Sequence, residues 1–174
     1  MVKLKKAIFF DRDGVLIHAP IKNNKPISIQ NIKELKFCMG IKKLCKFYKK
    51  NYLLIMVTNQ PDFVRKKNTK KNITEINQYI KKMLDLDSIY VSYSDNDKNN
   101  DRKPNSGMLL KAKKKHKIDL YESYMIGDRW RDIGAGNSAN CTTIFIDRKY
   151  HEKLKYKPNH IISKLKTIFS IIKR

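Results

Sequence analysis

A single α/β domain organised as a doubly wound parallel sheet is the fold predicted for these 174 residues. Five short apolar runs lack the polar–apolar alternation of a half-exposed strand, as expected for parallel strands covered on both faces. Stretches with helical spacing of apolar residues fall between them. The runs also lead into polar and acidic residues, the composition of loops at the carboxyl edge of such a sheet.

Ala7–Phe10 reads as the first strand. Lys22 to Lys25 reads as a polar loop. Gly40 to Lys50 places Ile41, Leu44, Cys45 and Tyr48 on one helical face. Leu53–Val57 is the second strand. Ile73 to Leu84 follows as a helix carrying Ile73, Ile76, Ile80, Met83 and Leu84. Ile89–Val91 is the third strand, Asp95 to Arg102 a polar loop, and Met108–His116 a helix. Tyr124–Ile126, a shorter helix over Asp132–Ala139, and Thr143–Ile146 complete the alternation, which is Rossmann-like. From about 159 to 173, Ile161, Ile162, Leu165, Ile168, Phe169 and Ile172 alternate with lysines. This predicts a last helix whose apolar stripe packs on the sheet, in preference to a basic helix lying on a membrane.

Hydrophobic residues make up 41% of the chain, enough for a buried core at this length. The 39 Lys and Arg residues against 16 Asp and Glu give a net charge of +23. Such a balance attracts polyanions. Here it is spread along the chain with many Asn and Ile residues, as a general composition bias would spread it. A small anionic substrate is drawn in either way, and nucleic acid is the less favoured partner. Cys38, Cys45 and Cys141 form no CxxC pair, which fits a reducing compartment. Met1 to Lys6 is too short for a secretory leader. No apolar run approaches the roughly 20 residues that span a bilayer. A soluble cytoplasmic monomer without a membrane partner is expected.

The chemistry lies at the strand ends. The first strand runs into Asp11-Arg12-Asp13-Gly14, the second into Thr58-Asn59-Gln60, and the fourth into Gly127-Asp128, with Asp132 a turn later. Lys103-Pro104 precedes the third helix. Magnesium is a hard cation that takes one or two carboxylates together with substrate phosphate, and Asp11 and Asp128 suit it. Asp11 can then attack phosphorus, and Asp13 can protonate the leaving oxygen and later activate water. Thr58 and Asn59 offer hydrogen bonds to phosphoryl oxygens, and Lys103 offers a compensating charge. Gly14 permits an unusual turn after the acid. Each motif alone is weak, since acidic turns and capped helix starts are common. Their order at successive strand ends is what points to phosphoryl transfer.

That ordered set resembles the haloacid dehalogenase-like phosphatase superfamily, subfamily IIIA, over residues 6 to 148. Arg12 between the two aspartates, the Thr58-Asn59-Gln60 triplet, and Arg102-Lys103-Pro104 followed by Gly107-Met108-Leu109 are similar to one branch. That branch holds heptose 1,7-bisphosphate 7-phosphatases and histidinol-phosphatases. The resemblance implies Asp11 as nucleophile and Asp13 as proton donor. It implies magnesium held by Asp11, the main-chain carbonyl of Asp13, and Asp128. Thr58 and Lys103 would hold the phosphoryl group, Arg102 would help recognise the substrate, and Asp132 would support Asp128 and Lys103. The spacings between motifs leave no room for a cap domain, so the fold is expected to be capless. The branch's zinc loop has no counterpart: Ser92, Ser94, Asn99 and Asp101 stand where its Cys and His ligands would be, and no structural zinc is expected. Pro61-Asp62 and Lys66 also depart from the branch. The activity implied first is a magnesium-dependent phosphatase acting on heptose 1,7-bisphosphate or a related sugar phosphate. Histidinol-phosphate phosphatase, polynucleotide 3′-phosphatase, and a non-catalytic basic binding module of the same fold are the alternatives.

Overall fold

The computed structural model describes residues 4–173; the first three residues of the short lead-in and Arg174 lie outside the described residues. In chain order the elements are β1 (Ala7–Phe10), a hairpin of β2 (Ile21–Lys22) and β3 (Lys25–Pro26), α1 (Ile41–Tyr48), β4 (Leu53–Asn59), α2 (Lys70–Leu84), β5 (Ser88–Ser92), α3 (Gly107–His116), β6 (Tyr124–Gly127), α4 (Trp130–Ser138), β7 (Thr142–Ile146), β8 (His160–Ile162) and α5 (Ile168–Ile171). Six strands form one sheet in the order β5-β4-β1-β6-β7-β8, and all five pairings are parallel.

The chain leaves β1 toward β4 and β5, then crosses back to β6, β7 and β8. Its direction therefore reverses beside β1, where open α/β sheets place their ligands. The continuous apolar strands explain the two layers of helices. Ile8 and Phe10 of β1 and Leu54 and Met56 of β4 face a core built from α1, α2 and the C-terminal segment. Ala7, Phe9, Ile55 and Val57 face a second core under α3 and α4. Successive side chains point to opposite faces, so each strand needs apolar residues throughout.

Three sequence expectations are corrected. First, the last segment is not one helix over 159–173. His160–Ile162 forms β8, a short turn of 3₁₀ helix follows at Leu165–Thr167, and only Ile168–Ile171 is α-helical. The side chain of Asn159 holds this arrangement by accepting from the main-chain N–H (2.8 Å) and the hydroxyl (2.9 Å) of Thr143. β8 then satisfies the open edge of β7, while Ile162, Leu165, Ile168 and Ile172 remain buried. Second, 22–25 is not a loop. Asn23 and Asn24 turn the β2–β3 hairpin with φ of 51° and 56°, the left-handed pair of a tight hairpin turn. Third, β4 runs two residues further than read, because Thr58 and Asn59 pair with Val91 and Ser92 of β5.

α2 begins at Thr69, whose hydroxyl accepts from the N–H of Asn72 at 3.1 Å, a cap that contributes about 1 kcal/mol. Between β4 and β5 the described residues hold α2 as their one helix. Between β1 and α1 lie the hairpin and a single 3₁₀ turn at Ile32–Glu34. No separate cap layer is present among the described residues, as the motif spacing implied.

Candidate active site

The carboxyl ends of β1, β4 and β6 and the start of α3 bring the separated motifs together around Lys103. This side chain is 1% exposed. Its ammonium donates to Oδ1 of Asp11 at 2.7 Å and to the carbonyl of Val57 at 2.8 Å, and it sits 2.7 Å from Oδ1 of Asp132. The other oxygen of Asp132 accepts from the N–H of Arg129 at 3.0 Å and so caps the start of α4. Asp132 thus ties a helix terminus to the buried lysine.

Asp11, Asp128 and Asp132 each offer an oxygen within 4.8 Å of the others. Burial pushes the Asp11 carboxyl up to about 6 against the pull of Lys103, with Asp132 and Asp13 adding to the rise. Burial likewise raises Asp128 well above the usual carboxylate range, and Asp11 and Asp132 reinforce it. Burial pulls Lys103 down, yet Asp11 and Asp132 outweigh it and leave its ammonium strengthened. Three carboxylates here face one ammonium, and Oδ1 of Asp128 is buried without a hydrogen-bond partner. A divalent cation is the group this donor set fits: hard oxygen ligands, excess negative charge and an orphaned carboxylate oxygen. Oδ2 of Asp128 accepts from the Tyr150 hydroxyl at 2.8 Å, which fixes the carboxylate and leaves Oδ1 available. Gly14 has a φ of 82°, and a Cβ there would collide with the Asp128 carboxylate and crowd the Tyr150 hydroxyl. Both the turn and this close approach call for glycine.

Asp13 is partly buried. Its Oδ2 accepts from Arg12 (3.0 Å), Gln60 (3.0 Å) and the Ser28 hydroxyl (3.1 Å). Arg12 is fully buried; its Nη1 donates to Asn77 at 3.0 Å and its Nη2 to Gln60 at 2.9 Å. Gln60 also donates to the hydroxyl oxygen of Thr58 at 2.8 Å, which leaves the Thr58 proton free to donate elsewhere. Asp13 is therefore oriented by a buried network that the strand-end motif did not disclose.

Asn59, expected to contact the phosphoryl group, lines the cleft and braces Lys103. Its Oδ1 accepts from the N–H of Lys103 at 3.1 Å and its Nδ2 donates to the carbonyl of Lys103 at 2.9 Å. The amide thus pairs with both main-chain groups of the residue that carries the buried ammonium.

The cleft above has a volume of about 630 Å³. Asp11, Asp13, Lys103 and Asp132 lie along its floor, and Lys22, Arg65, Lys67, Arg102, Arg129 and Arg131 bring positive charge to its walls. Arg129 pairs with Glu152 at 2.5 and 2.6 Å, and Glu152 also accepts from Trp130 at 3.0 Å. Arg102 and Arg131 both donate to Asp97, and these hydrogen bonds hold its carboxyl down at about 2. Of the residues standing at the zinc-ligand positions, Ser94 accepts from Arg102 through its carbonyl at 2.7 Å and Asn99 accepts from the N–H of Asp101 at 2.9 Å. Asp101 pairs with Lys111, and the Ser92 hydroxyl is buried without a partner.

Arg12, Gln60 and Gly14 sat inside the motifs, and only the arginine's burial was unexpected. Tyr150, Glu152 and Asp97 had no signal of their own, and Arg129 and Arg131 stood inside the motif from Gly127 to Asp132 without an assigned role. Their contacts span segments whose relative placement only the folded sheet supplies.

Comparisons with known proteins agree with this arrangement. The HAD-hydrolase-like family model matches residues 100–168. A Campylobacter jejuni protein named D-glycero-alpha-D-manno-heptose-1,7-bisphosphate 7-phosphatase is 33% identical over 147 residues, covering 81% of each chain. A Pasteurella multocida D-glycero-beta-D-manno-heptose-1,7-bisphosphate 7-phosphatase is 30% identical, covering 98% of each. A crystal structure of D,D-heptose 1,7-bisphosphate phosphatase from B. bronchiseptica, complexed with magnesium and phosphate, shares the fold with a TM-score of 0.80. It is 20% identical and covers 95% of this chain and 97% of that one. The chain therefore belongs to the haloacid dehalogenase-like family of hydrolases and is a phosphatase, a phosphoric monoester hydrolase.

Proposed function

We propose that this protein is a magnesium-dependent phosphomonoesterase that removes the C7 phosphate of D-glycero-D-manno-heptose 1,7-bisphosphate through an aspartyl-phosphate at Asp11. The observation that carries the reading is the buried carboxylate group of Asp11, Asp128 and Asp132, two of which pair with Lys103 and line a basic cleft. The substrate follows from relatives that bear this name and match most of the chain.

A carboxylate oxygen of Asp11 attacks phosphorus, the ester P–O bond breaks, and Asp13 gives its proton to the departing sugar oxygen. Asp13 then takes a proton from water as the water oxygen attacks the same phosphorus. The P–O bond to Asp11 breaks, phosphate leaves, and both carboxyl groups return to their starting states. Arg12, Gln60 and Ser28 keep Asp13 in one orientation through both steps. Thr58 donates its free hydroxyl proton to a phosphoryl oxygen, and Lys103, held by Asn59, balances charge at Asp11. Asp11, the main-chain carbonyl of Asp13, and Asp128 would hold magnesium, which neutralises phosphoryl oxygens when bound. Arg102 contacts the substrate at the wall. No zinc is needed beside the loop 93–106, because no thiolate or imidazole stands at Ser92, Ser94, Asn99 and Asp101, serine and asparagine are poor zinc ligands, and the loop is tied by hydrogen bonds instead.

Protein prepared with a zinc chelator and then given magnesium is expected to release phosphate from the heptose bisphosphate. The expected kcat/KM is at least about tenfold above that for histidinol phosphate or a 3′-phosphorylated oligonucleotide. A preference for either of the others, or a requirement for zinc, would overturn this reading.

A further inference from the structure

Asp97 lies in the loop 93–106, outside the residues that line the cleft. Its Oδ1 accepts from Nε of Arg102 at 2.9 Å and from Nη1 of Arg131 at 2.8 Å. Its Oδ2 accepts from Nη2 of Arg131 at 2.8 Å. Arg102 comes from the same loop and Arg131 from α4, so one carboxylate joins two elements of the fold. Both arginines line the cleft. Placed side by side they repel each other, and the carboxylate between them makes the pair tenable.

The remaining contacts show what Asp97 controls. Arg102 also donates to the carbonyl of Ser94 at 2.7 Å, and the Arg131 guanidinium lies 4.3 Å over the Trp130 ring. These contacts limit where each arginine can go, and Asp97 sets the separation between them. The turn that carries Asp97 is held independently of its side chain. Asn105 donates to the carbonyls of Asp97 (2.8 Å) and Asn99 (2.9 Å), and the side chain of Asn96 accepts from the N–H of Lys98 at 2.9 Å. Removing the carboxylate should therefore loosen the separation between the two arginines, which keep their contacts with the Ser94 carbonyl, the Trp130 ring and the Lys103 carbonyl (3.3 Å), and leave the turn in place. Two guanidiniums against one carboxylate also leave net positive charge facing the cleft.

We propose that Asp97 is a positioning residue that fixes Arg102 and Arg131 as a paired wall for a second anionic group of the substrate, beyond the phosphoryl group that reacts at Asp11. This rests on the phosphatase reading and deepens it, since it assigns the class of substrate as one with two anionic groups. A single phosphate ester with a neutral leaving group makes no use of the pair.

The test measures hydrolysis of 4-nitrophenyl phosphate, with fructose 1,6-bisphosphate as a competing sugar bisphosphate. The proteins are wild type, Asp97→Asn and Asp97→Glu, all with magnesium. Asp97→Asn is expected to leave kcat and KM for the aryl phosphate within about twofold and to raise the inhibition constant of the bisphosphate about tenfold. Asp97→Glu should recover part of that loss, because it restores the charge at a slightly different reach. An unchanged inhibition constant, no inhibition of the wild type, or an equal loss of kcat pointing to a merely structural role would each overturn the proposal. A wild type inert toward the aryl phosphate would sink the phosphatase reading and this proposal with it, so the two failures are told apart in the same assay.

Discussion

Replacing Asp11 by Asn is expected to lower kcat for any phosphate ester by roughly 10⁴-fold or more while leaving the protein folded. The amide has the shape of the carboxylate and none of its nucleophilicity. Two facts keep the cost to the fold small. Lys103 retains its contacts with Asp132 at 2.7 Å and the Val57 carbonyl at 2.8 Å. The substitution also removes one of three crowded carboxylates, in a place where burial already disfavours charge. Parallel measurements of phosphate release and thermal unfolding separate the two effects. A variant that unfolds at a much lower temperature would show that Asp11 holds the sheet edge together, and the activity loss would then say little about its role in the reaction.

Lys103→Met is expected to damage both stability and rate. The ammonium is buried between Asp11 and Asp132, and methionine removes its charge while keeping most of its length. Two carboxylates are then left facing each other with no cation from the protein. Breaking a buried ion pair from one side costs about 3–5 kcal/mol. The rate should fall by a further 10²–10³, roughly what one preorganised electrostatic contact contributes. Denaturant unfolding of metal-free protein reads the first number, and steady-state kinetics with saturating magnesium reads the second. A variant as stable as wild type would mean that the three carboxylates do not need Lys103. The placement of Asn59, which holds both main-chain groups of Lys103, would then lack a purpose.

Much of this site was legible because its chemistry sits inside local motifs. The apolar strands β1, β4, β5, β6 and β7 announced themselves by continuous apolar runs, and Asp11, Asp13, Thr58 and Asp128 follow such runs directly or within a few residues. Sheet topology then did the assembling. Parallel strands with helical crossovers put every carboxyl end on one edge, so Asp11, Thr58 and Asp128 had to meet. What stayed hidden depends on contacts across the chain. Arg12 entered as a mark of one family branch, and only its bonds to Asp13, Asn77 and Gln60 show that it orients one of the two aspartates beside it. Tyr150 and Glu152 lie in an irregular segment after β7 that no periodicity marks, yet they hold Asp128 and Arg129. The C-terminal segment misled for a related reason. Ile161, Ile162, Leu165, Ile168 and Ile172 fit helical spacing, but the free edge of β7 offered Ile161 and Ile162 a ladder, and β-branched residues suit a strand. Asp97 sat in a loop read only as polar, and its meaning lies wholly in the two arginines that it joins.

The claim on which the rest depends is that phosphorus is transferred to Asp11 before it reaches water. Hydrolysis of an isotopically chiral phosphorothioate ester tests this most directly, because each displacement inverts the configuration at phosphorus. Two successive in-line displacements, first by Asp11 and then by water, predict inorganic thiophosphate released in isotopically labelled water with net retention of configuration. Net inversion would mean a single direct attack by water, and would contradict the assignment of Asp11 as the nucleophile.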